Sequence, residues 1–174
     1  ISIVFFFVTT TNQYIVSANS KVDFDTVSVG EHRAFAVKED GSLWGWGYND
    51  SLIVTHPDKV AGEMYLGKLY YPAPVKIADH VVSVAQGSMH VLVIKEDRSL
   101  WGWGDTREGQ MGIGNTSEGN GSGVAVSMIK TPVKIMDDVI KIVADISYNY
   151  ALKSDGTLWR WGTSDINEYY QKIN

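Results

Sequence analysis

The sequence predicts an all-β fold, an open stack of about three antiparallel four-stranded sheets. Three observations predict it. The six tryptophans fall at 44, 46, 101, 103, 159 and 161 and make one recurring tripeptide, WGW, WGW and WRW, at spacings of 57 and 58 residues. The apolar segments are short, rich in Val, Ile and aromatics, and bounded by Gly, Asp, Ser or Pro, as strands are. No window carries the 3.6-residue stripe of an amphipathic helix.

Each element recurs around the tryptophans. KEDGSLWGWG (38–47) returns as KEDRSLWGWG (95–104) and KSDGTLWRWG (153–162). Ahead of these stand RAFAV (33–37), HVLVI (90–94) and YNYAL (148–152), each a short apolar strand. Ahead again stand FDTVSVG (24–30), VVSVAQG (81–87) and VIKIVAD (139–145). A further element, APVKIAD (73–79) and TPVKIMD (131–137), has no counterpart before Phe24, so the first unit is expected to be incomplete there. The acidic-Gly pairs at 40–41 and 155–156 predict hairpin turns, because Asp bonds its own following backbone and Gly supplies positive φ. Arg98 in place of that glycine predicts a different turn or a strained one.

Period two puts Trp44 and Trp46 on one face of a strand and Leu43 and Gly45 on the other. HVLVI is apolar throughout, which points to a sheet covered on both faces. A small sheet achieves that when like units stack on either side, and radial stacking of four-stranded sheets is the β-propeller. Gly45 and Gly102 are expected to leave room for a neighbouring blade. Arg160 breaks that pattern, so it folds outward or its blade lacks a neighbour. The units run over about 24–72, 73–130 and 131–174, within a repeat domain of 21–174. Three blades fall short of the 4–8 that close a ring. The chain is therefore expected to be a piece of a larger protein or an open stack, whose two raw edges invite association.

The first twenty residues stand apart. They begin without Met, and Ile1 to Val8 are almost wholly apolar. That run is too short for a transmembrane helix, which needs about 20 apolar residues. It suits the core of a secretory leader, and Val16-Ser17-Ala18 suits the small-residue site that ends one. Residues 1–20 are thus expected to be leader-like, the chain a fragment at its N-terminus, and the protein extracellular or at the cell surface. With 15 Lys and Arg against 20 Asp and Glu the net charge is −5, which argues against a nucleic-acid partner. There is no cysteine, so disulfides, thiolate metal sites and cysteine nucleophiles are excluded.

The second unit resembles a repeat of the regulator of chromosome condensation family, in a bacterial-type form. The family pattern is a small turn, a His-led apolar strand, an acidic-Gly hairpin, an aromatic strand ending Trp-Gly, and a glycine-rich loop. GSMHVLVIKEDRSLWGWG followed by DTREGQMGIGN carries it through Gly87, His90, Trp103, Gly104, Gly109, Gln110, Met111, Gly112 and Gly114. Arg33 and Tyr148 take the His position in the other units, which depart from the pattern after Tyr48-Asn49 and after Gly162. The resemblance implies blade-building roles for Trp44, Trp46, Gly47, His90, Trp101, Trp103, Gly104, Trp159, Trp161 and Gly162. It also implies functions as different as nucleotide exchange on a small GTPase, attachment to ubiquitin ligases and secreted inhibition of β-lactamases.

No residue set points to catalysis, a metal or a cofactor. The four His, at 32, 56, 80 and 90, lack zinc-ligand spacing. Glu39-Asp40 and Glu96-Asp97 recur at hairpins, where turn chemistry explains them better than a carboxylate pair across a cleft. Gly109, Gly112 and Gly114 lack the lysine and following helix of a phosphate cradle. Gly119 to Gly123 reads as a flexible insert. The connection 48–72 carries Tyr48, Tyr65, Tyr70 and Tyr71, side chains enriched at binding surfaces. These four are the candidate partner-binding residues, set against the plainer reading of an extra hairpin in a degenerate blade. The expected function is a non-catalytic protein-interaction module. Nucleotide exchange on a small GTPase and extracellular carbohydrate binding or processing are the alternatives.

Overall fold

A computed structural model of the chain describes residues 4–6, 15–17, 27–30, 32–49, 62–65, 68–113, 128–162 and 171–173. Among them there is no helix. Val4–Phe6 (β1) and Ile15–Ser17 (β2), within the leader-like segment, pair with each other as a separate two-stranded sheet. The rest forms three antiparallel sheets. Sheet one joins Val27–Val29 (β3), Arg33–Val37 (β4), Leu43–Tyr48 (β5), Glu63–Tyr65 (β6) and Lys68–Ala78 (β7) in the order β3-β4-β5-β7-β6. Sheet two joins Val81–Gln86 (β8), His90–Lys95 (β9), Leu100–Asp105 (β10) and Met128–Met136 (β11). Sheet three joins Val139–Ala144 (β12), Asn149–Lys153 (β13), Leu158–Trp161 (β14) and Gln171–Ile173 (β15).

Strand pairing frames the sheets differently from the repeat units. Val75 and Ile77 head the second unit in sequence, but β7 pairs with β5 and closes sheet one. Likewise β11 closes sheet two. The VKI element is therefore the outer strand of the sheet before it, and its absence ahead of Phe24 leaves sheet one complete. That sheet has five strands, because the 48–72 connection folds back as the β6-β7 hairpin.

The three tryptophan strands show how the sheets stack. Leu43, Gly45 and Gly47 of β5 are buried while Trp44 and Trp46 are half-buried. In β10 Leu100, Gly102 and Trp103 are all buried, with Trp101 half-buried. In β14 Leu158 and Arg160 are exposed while Trp161 is buried. Sheet two is thus covered on both faces, sheet one on its leucine face and sheet three on its tryptophan face. Two cores follow. Phe35, Val37, Leu43, Val75 and Ile77 of sheet one meet Val84, Val91, Val93 and Trp103 of sheet two. Leu92, Ile94, Leu100 and Ile135 of sheet two meet Val139, Ile142, Ala151 and Trp161 of sheet three. The glycines between the tryptophans serve this packing from within their own sheet. A Cβ on Gly45 would stand 2.6 Å from Ile77 and 2.9 Å from Phe35, the side chains that lean over it to receive the next sheet. Arg160 at that position points outward, where no fourth sheet is described.

Backbone hooks reinforce each seam. Val81 N–H donates to Gly41 O at 2.9 Å, and its repeat mate Val139 N–H donates to Arg98 O at 3.0 Å. Arg98 has φ 64, matching Gly41 at 77 and Gly156 at 83. The turn is therefore the same in all three units, and Arg98 holds it under strain of about 1–2 kcal/mol. Each hairpin also carries a relay. Asp40 accepts from Ser42 N–H at 2.9 Å, and Trp44 Nε1–H donates to Ser42 Oγ at 2.8 Å. Asp97, Ser99 and Trp101 repeat the arrangement, as do Asp155, Thr157 and Trp159. Lys38 and Lys95 lie 3.9 and 4.4 Å over the rings of Trp44 and Trp101. The recurring acids are thus turn acids. Hydrogen bonds from Ser42, Ser99 and Thr157 hold Asp40, Asp97 and Asp155 below the usual carboxylate range.

A buried polar network crosses the second seam. His90 Nε2–H donates to Asn149 Oδ1 at 2.6 Å, and Asn149 Nδ2–H donates to Gln110 O at 3.0 Å. Trp161 Nε1–H donates to the same carbonyl at 2.7 Å. His90 Nδ1 is buried without a hydrogen-bond partner among the described residues. Burial lowers the His90 pKa, against the opposing effects of Asn149 and Asp105.

Two measurements check this packing. Trp103→Ala is expected to destabilise the chain by about 3–5 kcal/mol in denaturant unfolding; an unchanged midpoint would exclude a packed first seam. Because the folded state lowers the His90 pKa, the unfolded chain takes up the proton first. Stability is therefore expected to fall as pH drops below about 6.5, approaching 1.4 kcal/mol per pH unit, until the folded-state imidazole titrates. Urea midpoints of wild type and His90→Gln between pH 8 and 5 test it. Equal pH slopes for the two proteins would contradict it.

Candidate interaction surface

The loops leaving the sheets fall into two sets. The hairpins at 38–42, 95–99 and 153–157 carry the relays and lie at one end. At the opposite end a glycine stands within one residue of the end of each tryptophan strand, Gly47, Gly104 or Gly162, with φ 101, 116 and 101. A Cβ at these glycines would come within 2.3, 2.4 and 1.9 Å of His32 O, Met89 O and Ser147 O. Glycine lets the chain turn beneath those loops. Tyr48 N–H then donates to His32 O at 2.9 Å and Asp105 N–H to Met89 O at 2.8 Å. This end is a loop surface held by the sheets.

On sheet one it is aromatic. Tyr48 stands opposite Tyr70 in register, their rings 5.4 Å apart and inclined by 58°. His32 meets Tyr48 edge-on at 5.4 Å. Tyr48 and Tyr70 are half-buried and His32 is exposed, so the cluster shows one side to solvent. Tyr71 does not belong to it. It is 7% exposed and sits in the first seam core, because the next residue along a strand points to the other face. Its expected role as a binding residue gives way to a packing one. Tyr65 lies in β6, and its side chain is outside the described residues.

On sheet two the same end carries charge. Asp105 is buried and accepts from Arg107 N–H at 2.9 Å and Arg107 Nε–H at 3.0 Å. Burial pushes the Asp105 carboxyl up, but the hydrogen bonds and charge of Arg107 outweigh it and hold the group below the usual carboxylate range. Arg107 Nη2 also reaches Met89 Sδ at 3.7 Å. The loop then folds inward, with Gln110 and Met111 buried. Gly114 and the 119–123 insert lie outside the described residues. On sheet three the end shows exposed Ile146 and Tyr148. No sequence pattern marks Met89 or Arg107, His32 stands out in the sequence only as one of four histidines without zinc-ligand spacing, and Asn149 carries no mark as a network residue. Their signal is only their place, next to the three glycines near the strand ends or facing His90 across a seam.

Among the described residues no group of three or more His, Asp or Glu side chains could hold a metal ion. An open groove of about 500 Å3 between sheets two and three is lined by Lys134, Ile135, Met136, Asp137, Lys153 and Trp159. Its one carboxylate, Asp137, is paired with Lys134 at 2.7 Å. No helix among the described residues is long and apolar enough to cross a membrane.

Residues 81–110 match the regulator of chromosome condensation (RCC1) repeat. That stretch spans β8 to the buried Gln110. The RCC1 domain-containing protein RUG3, mitochondrial, of Arabidopsis thaliana is 25% identical over 143 residues, covering 80% of this chain and 29% of that protein. The regulator of chromosome condensation of Homo sapiens is 27% identical over 116 residues, covering 64% of this chain and 26% of that protein. The chain thus spans less than a third of these relatives. Among solved structures, Prp20p from Saccharomyces cerevisiae superposes with a TM-score of 0.68 or close to it, 0.67 for the structure described together with its binding to Gsp1p and histones. That likeness covers 93% of this chain and 41% of Prp20p at 21% identity. Repeat match, relatives and fold agree in what they resemble: the chain carries an RCC1 repeat match over residues 81–110 and shares the fold of RCC1-type propellers, as three blades of an unclosed propeller.

Proposed function

We propose that this blade stack is a non-catalytic protein-binding module that engages its partner through the loop end carrying His32, Tyr48, Tyr70, Met89, Arg107 and Tyr148. The observation that carries the reading is the His32–Tyr48–Tyr70 cluster. Its rings are held against each other before any partner arrives, so little side-chain entropy remains to be lost on binding. Tyrosine and arginine are the residue types that dominate binding surfaces. The recurring acids, which a catalytic reading would need, are spent on hairpin turns. Prp20p, which shares the fold, is described as binding the proteins Gsp1p and histones. A protein ligand is therefore the natural class for this surface too. We place the module outside the cell or on its surface, on the leader-like pattern of Ile1 to Ala18.

The test needs the partner in hand. The chain is used as bait, a bound protein is identified, and its affinity is measured against Tyr48→Ser and Tyr70→Ser. Each substitution is expected to weaken binding at least about tenfold, on the scale of an interface hot spot. Tyr71→Ser is expected to lower thermal stability instead. A partner bound equally well by the Tyr48 and Tyr70 variants would exclude this surface.

A further inference from the structure

The chain after β10 is drawn back into the second seam. Gln110 and Met111 are 3% and 1% exposed. Gln110 O accepts from two residues of sheet three, Asn149 Nδ2–H at 3.0 Å and Trp161 Nε1–H at 2.7 Å. Gly112, with φ 60, lies so close to Trp161 that a Cβ there would stand 2.9 Å from the indole. Two tight turns, Gly109 N–H to Thr106 O at 3.1 Å and Gly112 N–H to Gly109 O at 2.9 Å, fold the 105–112 loop around that anchor. The outer turn carries the exposed Arg107, bound to Asp105 and reaching Met89. A buried anchor thus sets the place of a surface arginine.

The anchor depends on which way the Asn149 amide faces, and His90 decides that. Gln110 O can only accept, so Nδ2 of Asn149 must face it and Oδ1 must face the imidazole. Oδ1 can only accept in turn, so the ring proton sits on Nε2, 2.6 Å away, and Nδ1 carries the lone pair. Nδ1 is buried without a hydrogen-bond partner among the described residues. It packs on Gly87, where a Cβ would stand 2.5 Å from Nδ1 and 2.3 Å from Asp145 O. A second proton on the ring is therefore a buried charge without an acceptor, an unfavourable state. The ring reaches Asp145 O only by turning, and turning withdraws Nε2–H from Asn149. The charged groups around the ring do not relieve this. Asp105 on β10 is taken by Arg107, and Glu108 and Asp145 are exposed. Arg33 of β4 reaches Ser88 O at 2.7 Å. The neighbouring strands β8 and β13 offer the uncharged Gln86 and Asn149.

We propose that His90 is a proton-operated latch on the 105–112 loop: protonation at Nδ1 breaks the bond to Asn149, releases Gln110 from sheet three and lets Arg107 leave its place at the loop end. The sheets stay folded, because the apolar contacts of the two seams do not titrate. The latch is closed at neutral pH and opens below about 6.5, the ordinary value for histidine, since burial disfavours the charged ring. Its consequence for binding rests on the reading of this end as the partner surface. There, acidification weakens the complex by taking Arg107 away from it.

Hydrogen exchange of the whole chain without a partner tests the latch between about pH 7.5 and 5, each rate being corrected for its intrinsic pH dependence. The Gly109 and Gly112 amides are expected to lose protection at least about tenfold, with a midpoint that coincides with the titration of the His90 ring followed by NMR. The amides of β9 and β13 are expected to keep theirs. In His90→Gln, which stays uncharged and can still donate to Asn149, loop protection is expected to hold constant. Constant loop protection in the wild type overturns the proposal. So does a midpoint away from that of the His90 ring, a loss shared equally by β9 and β13, or a wild-type response that survives in His90→Gln. Should that variant fail to fold, the two midpoints in the wild type decide alone. The affinity of an identified partner is measured separately over the same range. A loop that opens while affinity holds overturns the binding role of Arg107 and leaves the latch standing.

Discussion

The packing of a tryptophan-bearing sheet face onto a leucine-bearing one is the interaction from which the rest of this structure follows. A four-stranded sheet this small cannot bury both of its faces alone. Sheet two becomes a core element because Trp103 lies among Phe35, Val75 and Ile77 on one side and Leu92 lies among Val139, Ile142 and Trp161 on the other. Everything else adjusts the contact. The glycine between the tryptophans lets Phe35 and Ile77 close over the strand. The Asp-Ser-Trp relays set the hairpin ends. The hooks at Val81 and Val139 fix the stagger of one sheet on the next.

The polar features of the seams are unequal. The second is crossed by the fully buried His90–Asn149–Gln110 network. The first is crossed near the surface, by Arg33 to Ser88 O at 2.7 Å and Gln86 to Arg33 O at 3.3 Å. The difference follows the loops. The glycine-rich loop after Gly104 turns Gln110 into the seam, whereas on sheet one the described residues beyond Asn49 resume before the aromatic β6-β7 hairpin. Building a fifth strand from the 48–72 connection leaves Tyr48 and Tyr70 half-buried at the loop end.

Much of this was legible in the residues. The spacing of the tryptophans gave the number of sheets, and period two along SLWGWG gave their faces. The recurrence of Glu-Asp and Ser-Asp at equivalent places marked them as turn residues before any geometry was known. Arg160 was readable as a break in the pattern, either folding outward or lying in a blade without a neighbour. The sheet boundaries were not readable, because a repeat in sequence has no preferred starting point and only hydrogen bonding shows that the VKI strand closes the sheet before it. Arg98 left two options, and its φ chose the strained one. Tyr71 illustrates the limit for the loop surface: adjacent tyrosines point to opposite faces of β7, and composition alone does not say which is covered. The contact between His90 and Asn149 lies across 59 residues of chain and carries no local signal.

The most direct test of the seam as the organising contact is a double-mutant cycle between Phe35 on sheet one and Trp103 on sheet two, using Phe35→Leu and Trp103→Leu in denaturant unfolding. Packing across the seam predicts a coupling energy of about 1–2 kcal/mol. Strict additivity, within about 0.3–0.5 kcal/mol, would mean that the two residues belong to separate cores and would contradict the account.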